Sequence, residues 1–284
     1  MPRHIVCLTF DFDAWSGLVA RGLTTPTPIS RGEFGIVGAG RILDLLRKHG
    51  LRSSWFAPGI VIESYPRVCE RVIAERHEIG NHGWTHVPPA SLSDAEEAEG
   101  LARANEIIKR MTGSNPAGYR SPSWDISDRT VDLLVEYGFR YESSLMGNDY
   151  HPYFVRRGDV IPKDAAPTFG PYTDIVEMPV AWSLDDFPHF EFLRTPTQLM
   201  PGLMNARLVL ENWIADFDYM AQNLDWGIIT YTFHPYVTGR GHRMLALSGL
   251  IEDLIRKGAV FMTMEDAANE FREKAASGDV LPYP

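Results

Sequence analysis

With 284 residues, 44% of them hydrophobic and 23% charged, the chain has the length and composition of an ordinary folded protein, not a disordered one. A formal net charge of -10 without any cluster of Lys and Arg argues against nucleic acid or an anionic membrane surface as the main partner. No stretch has the apolar length of a membrane span, so no membrane partner is expected.

In chain order, Ile5 to Phe10 reads as a buried strand. It leaves no room before it for a signal segment, which predicts a cytoplasmic protein. A Gly- and Pro-punctuated segment follows, read as a long loop from Ala14 to Gly38. Ile42, Leu43, Leu45 and Leu46 then recur at helical spacing up to His49-Gly50. Arg52 to Ala57 reads as a strand, Pro66 to Arg76 as a helix, and Glu78 to Asn81 as a short strand. Ser93-Asp-Ala-Glu96 is a capping box opening a helix that Gly113 closes. Cys7 lies in an apolar run and Cys69 in a helical pattern, which predicts two buried thiols and no disulfide.

Ala117 to Tyr119 reads as a strand, Ser127 to Tyr137 as a helix and Phe139 to Ser143 as a strand; 144–174 is less regular. Ile175 to Val180 gives a strand and Leu203 to Asn223 a long amphipathic helix. Gly227 to Phe233, Met244 to Lys257, Ala259 to Met264 and Glu265 to Ala275 then read strand, helix, strand, helix. Seven or eight strands alternating with helices predict an α/β fold, a single distorted (β/α) barrel over residues 1–284. The long segments 14–38 and 146–174 are expected to cover an active site or an interface.

The chemistry concentrates at strand ends. In Thr9-Phe-Asp11-Phe-Asp13 the period of two puts Thr9, Asp11 and Asp13 on one face. One Asp there would be read as a loop cap, but two carboxylates ~6–7 Å apart repel unless a cation lies between them. His82 and His86 in Asn81-His-Gly-Trp-Thr-His86 bring two imidazoles to one side of a turn, and with the carboxylates they match an open catalytic metal site. Arg120, just after another strand, is placed to pair with a carboxylate, though alone it reads equally as a surface residue. His234 closes an apolar strand before Pro235, a position that also suits a simple turn. Trp124, Trp182 and the pair Asp185-Asp186 line the pocket or serve packing and a solvated loop; the residues leave both open. The joint pattern decides for a site, because barrel enzymes gather catalytic groups at the C-terminal ends of several strands.

The Asp-x-Asp strand, the His-x-x-x-His loop, the Arg-x-Pro segment and the late His together resemble the polysaccharide deacetylase family, also called carbohydrate esterase family 4. The resemblance runs from residue 5 to about residue 264. The spacing Thr-Phe-Asp-Phe-Asp, with Arg31-Gly-Glu-Phe-Gly, Glu177-Met-Pro-Val and Trp182-Ser-Leu-Asp-Asp186, looks like the branch holding atypical peptidoglycan deacetylase-like and allantoinase-like proteins. It implies a divalent metal, most commonly zinc, held by Asp13, His82 and His86. Asp11 would act as base, oriented by Arg120, with His234 protonating the leaving amine and Trp124 and Trp182 contacting substrate. The expected reaction is hydrolysis of a non-peptide amide, such as the N-acetyl group of a sugar. Ring opening of a cyclic amide or imide is the alternative, and a catalytically dead barrel would need the loss of a ligand or base that this chain keeps. Expected partners are a small-molecule or oligosaccharide substrate and, from the branch, further copies of the chain in a homo-oligomer.

Overall fold

The alternation of side chains along the first strand decides the layering. In a computed structural model, which describes residues 2–194 and 199–282, Ile5 and Cys7 join Phe56, Tyr141 and Val176 in an inner cluster. Val6, Leu8, Phe10 and Phe12 point the other way, against helical residues such as Ile42, Leu43 and Val61. Period two thus separates the interior of a curved sheet from the layer between sheet and helices.

The strands are β1 (Arg3–Asp11), β2 (Ser54–Ala57), β3 (Glu78–Asn81), β4 (Gly118–Tyr119), β5 (Tyr141–Glu142), β6 (Tyr153–Arg156), β7 (Tyr172–Glu177), β8 (Leu193–Arg194), β9 (Leu199–Met200), β10 (Trp226–Phe233) and β11 (Val260–Phe261). The main sheet runs β10-β1-β2-β3-β4-β5-β7-β6, with β11 beside β1. Its pairings are parallel except for β6, which lies antiparallel to β7. A parallel bridge between Asp185 and Thr232 and a hydrogen bond from Ile228 N to Tyr150 O (2.8 Å) draw the two ends together. The result is the expected distorted barrel, partly open, with eight strands in its principal run. No helix among the described residues is long and apolar enough to cross a membrane. Cys7 and Cys69 are buried and unpaired, as expected.

The expected loop from Ala14 to Gly38 is instead mostly helical. Helix α1 (Ser16–Ala20) is followed by α2 (Pro26–His49), 24 residues long, with Pro at its first position and Gly50 closing it in the left-handed region at φ 66°. Its glycines are helix-packing residues, not loop punctuation. A Cβ at Gly32 would lie 2.4 Å from Trp15 Cα, and one at Gly38 only 1.9 Å from Pro235 O. These close approaches admit no side chain, and they seat α2 on the backbone that follows β1 and β10. The stretch 144–174, expected to be irregular, contains β6, where Tyr153 and Val155 are buried and alternate with half-buried Phe154 and Arg156.

The remaining helices are α3 (Gly59–Ser64), α4 (Pro66–Ala74), α5 (Asp94–Thr112), α6 (Thr130–Glu136), α7 (Asp186–Phe190), α8 (Ala206–Asn223), α9 (Pro235–Thr238), α10 (Gly241–Arg256) and α11 (Met264–Ser277). Helix α5 opens on the expected capping box, Ser93 with Glu96, and ends at Gly113.

Register puts Glu142 of β5 directly beside Glu177 of β7, and both are fully buried. Glu177 Oε1 accepts from the amides of Ser144 and Leu145 (3.2 and 3.0 Å), and Glu142 Oε2 accepts from Ser144 N (3.0 Å). Burial, reinforced by the Glu142 carboxylate, pushes the Glu177 carboxyl well above its usual range. The folded chain therefore holds a proton there that the unfolded chain releases, and its stabilising effect is present at acidic pH and lost as pH rises. Glu177→Gln supplies a permanent donor to Glu142. In thermal melts from pH 5 to 9 the variant should gain on the parent with rising pH, by up to ~1.4 kcal/mol per pH unit while Glu177 titrates; parallel curves would show that the pair shares no proton.

Candidate metal centre and active site

Four strand ends converge on one cleft. Asp11 ends β1 and Asp13 follows two residues later; His82 and His86 follow β3; Arg120 follows β4; His234 follows β10. All six are buried, with exposures from 0 to 7%.

Arg120 lies deepest, fully buried over the Phe56 ring. Nη1 donates to Asp11 Oδ1 (2.8 Å) and Thr9 Oγ1 (2.9 Å), Nη2 to Ser143 Oγ (3.0 Å) and Met264 Sδ (3.8 Å), and Nε to Ser143 O (3.1 Å). All five guanidinium donors are thereby used. The main chain of the same residue works on the neighbouring ligand, because Arg120 O accepts from His82 Nδ1 (2.7 Å). That bond fixes the proton on Nδ1 and leaves the Nε2 lone pair directed into the cleft.

His82 Nε2 faces Asp13 Oδ1 at 3.4 Å, and His86 Nε2 faces Asp13 Oδ2 at 3.0 Å. His82 Nε2 and Asp13 Oδ1 are buried without hydrogen-bond partners. Two acceptors turned toward each other in a buried site are satisfied by a cation, and ligand atoms of Asp13, His82 and His86 lie within 4.8 Å of one another. The triad is a divalent-metal site by donor chemistry and geometry. The pull on protons points the same way. Burial opposes it, yet the two imidazoles hold Asp13 well below the usual carboxylate range, and the Asp13 and Asp11 carboxylates raise His82 against its own desolvation.

His234 Nε2 lies 3.6 Å from Asp13 Oδ2, the oxygen that His86 also faces. Its Nδ1 meets Asp186 Oδ1 at 2.8 Å, with Asp185 Oδ1 at 3.5 Å. Asp186 is itself fixed by His234 N (3.0 Å) and Thr238 Oγ1 (2.5 Å). Burial would lower the imidazole, but Asp185 and Asp186 outweigh it and raise His234 well above its ordinary value. Burial, with Asp186 adding repulsion, pushes Asp185 up to about 7 despite relief from His234.

The cleft, about 200 Å³, is also lined by Trp124 and Trp182, whose rings lie 4.3 Å apart, and by Arg21. Ser123 (φ 59°) and Trp124 (φ 53°) both sit in the left-handed region, as does Ala14 (φ 47°) beside Asp13. Backbone strain of ~1–3 kcal/mol per residue is thus gathered around the site.

The sequence profile described as polysaccharide deacetylase matches residues 37–142. A peptidoglycan deacetylase of Helicobacter pylori is 34% identical over 95% of this chain and 97% of its own. The chain belongs to the polysaccharide deacetylase family. A solved Mycobacterium smegmatis structure assigned to the polysaccharide deacetylases is 27% identical and superposes with a TM-score of 0.83, over 100% of this chain and 93% of that one. The Puue allantoinase structure is similar in fold at 19% identity, with a TM-score of 0.75 over 100% and 93% of the two chains. The present chain is accordingly a metal-dependent hydrolase of the polysaccharide deacetylase family, with a metal-coordinating site suited to amide cleavage.

The structure brings every candidate site residue to this cleft: Asp11, Asp13, His82, His86, Arg120, Trp124, Trp182 and His234. The sequence left the role of Asp185 and Asp186 open. Asp186 partners His234, and its signal was an acidic pair preceding the apolar Phe187, a pattern that a solvated loop also shows. Arg21 was not a candidate, because nothing local distinguishes an Arg in a Gly-rich stretch.

Replacing Asp13 or His82 by Ala should leave the fold intact and weaken metal binding at least ~10-fold, since even groups that only orient a ligand are worth ~10–100-fold. Elemental analysis of purified variants reads this directly, and full occupancy in both would remove the triad. In the parent, metal uptake should fall as pH drops through the raised His82 value, because protons then compete for Nε2.

Proposed function

We propose that the enzyme removes the acyl group from an N-acetylated sugar unit, with Asp11 as general base and His234 as general acid, and with Asp13, His82 and His86 as the residues that would hold a zinc ion. The observation that carries this reading is the flanking of one metal triad by a guanidinium-held carboxylate and a carboxylate-held imidazole. Two imidazoles and one carboxylate suit zinc among divalent ions. Trp124 and Trp182, whose rings pack closely at a tilt of 33°, offer the apolar face that a sugar ring packs against. A cleft of about 200 Å³, below the ~300–1,000 Å³ of drug-sized sites, suits one sugar unit better than a long segment of polymer.

When bound, the metal supplies Lewis acidity, lowering the pKa of a water and polarising the amide carbonyl. Asp11 Oδ1 is occupied by Arg120, so Oδ2 faces the cleft and takes the proton from the attacking water. Nδ1 of His234 is engaged by Asp186, which leaves Nε2 to deliver a proton to the nitrogen as its bond to the carbonyl carbon breaks. The amine leaves neutral and the acyl carbon leaves as a carboxylic acid, which gives up the second proton of the water to solvent as it ionises. Arg120 touches no reacting atom; it holds Asp11 on the strand face it shares with Asp13 and balances its charge.

Asp11→Asn should keep metal affinity near that of the parent and lose at least ~10²-fold in turnover, the usual worth of a positioned base. Asp13→Asn should bind metal weakly and recover part of its activity with excess zinc. Rescue of the first variant and not of the second would reverse the two roles. A panel of N-acetyl sugars and hydantoin-like rings tests the substrate, and faster ring opening would overturn N-deacetylation.

His234 gives a further expectation. Asp186→Asn removes a carboxylate that raises the imidazole, so His234 should lose its proton at lower pH. The alkaline limb of the kcat profile should move toward acid; an unmoved limb would assign the acid role to another group.

A further inference from the structure

We infer that Arg21 is a specificity-determining residue, recognising a carboxylate carried by the substrate close to its N-acyl group. This rests on the proposed N-deacetylation and narrows it to acylated units that bear a negative charge.

Arg21 lines the same cleft as Asp11, Asp13, His86 and His234. Its placement is fixed at two points: Nη1 donates to Gly17 O at 2.6 Å, and the guanidinium carbon lies 5.4 Å from the centre of the Phe187 ring. A Cβ built at Gly17 would touch Arg21 Nη1 at 3.3 Å and the His86 ring at 3.5 Å, so the cation lies beside a metal ligand. Among the described residues no carboxylate lies within 4 Å of the Arg21 side chain, whereas Arg120 holds Asp11 and Arg31 holds Glu191. Nη1 is engaged by the carbonyl, which leaves Nε and Nη2 as two adjacent donors in the planar fork that matches a carboxylate.

Apart from the imidazoles, the other ionisable groups lining the cleft, Asp11, Asp13 and Asp185, are acids. A pre-positioned cation without a counter-ion at the edge of such a cleft complements an anionic group on the ligand. The Trp124–Trp182 face would take the sugar ring, the acyl group would enter between Asp11 and His234, and an ether-linked carboxylate on the neighbouring ring carbon would reach Arg21.

N-acetylglucosamine and N-acetylmuramic acid differ by that carboxylate and form a matched pair. For the zinc-loaded parent, kcat/KM should favour the carboxylated sugar. In Arg21→Gln the ratio of the two kcat/KM values should fall about ten-fold or more, the change residing in KM, and Arg21→Lys should restore part of it. A merely structural role, the capping of α1 by the Gly17 contact, would lower both substrates and the melting temperature together and leave the ratio where it was. That result, or a parent with no preference, overturns the inference while leaving N-deacetylation intact. If neither sugar is turned over, calorimetric binding to the zinc-loaded protein decides. Tighter binding of the carboxylated sugar that Arg21→Gln abolishes supports the inference and rejects the proposed reaction; equal binding, or none, rejects the inference as well.

Discussion

The structure turns on one buried cation. Arg120 sits where water cannot reach it, and its guanidinium is tolerated because every N–H has a partner: Asp11, Thr9, Ser143 twice, and the Met264 sulfur. Those partners come from β1, from the end of β5 and from the start of α11, so one side chain ties three distant segments to the end of β4. Deleting either member of a buried pair leaves an uncompensated charge, at a cost of ~3–5 kcal/mol. A Lys could not replace it, having three donors and no planar fork. The same residue aligns Asp11 through its side chain and the His82 imidazole through its carbonyl, so the separation of Asp11 from the metal site is a property of one residue's geometry.

Charge balance explains the rest of the site. Asp11, Asp13, Asp185 and Asp186 are all buried within one neighbourhood, and such a concentration of acid is tolerable only if each carboxylate is offset. Arg120 offsets Asp11, the imidazoles and a metal offset Asp13, and a protonated His234 offsets Asp186. Asp185 has only a share of His234, and burial lifts it to about 7. Each partner assignment is thereby constrained by the others, and the effects of mutating them should be non-additive.

Much of this was legible in the sequence because it depends on local periodicity. Period two along Thr9–Asp13 placed both carboxylates on one face, the His-x-x-x-His spacing brought the imidazoles together, and the apolar runs ending in Arg120 and His234 marked strand ends. What was missed depends on contacts far apart in sequence. The glycines at 32, 35 and 38 punctuate a loop when read locally. Only the backbone of Trp15 against Gly32 and of Pro235 against Gly38, with Tyr236 and Ala14 in ordinary contact at Gly35, shows that they are one face of a helix. The partnership of Asp186 with His234 spans 48 residues and passes through the bridge that draws the barrel's ends together. The short strands β4 and β5 were anticipated longer, since apolar residues on either side continue a strand-like pattern beyond the few that pair.

The glycine face of α2 also governs how the protein can change. Because Gly38 lies against the carbonyl of Pro235, the residue next to His234, a position nearly 200 residues away in sequence sets the height of that imidazole over the cleft. Any enlargement at 38 is transmitted as a displacement of His234 relative to Asp11, with no intermediate side chain to absorb it. Drift along this helix is therefore constrained at this inner row, which is locked to the geometry of a site it never touches.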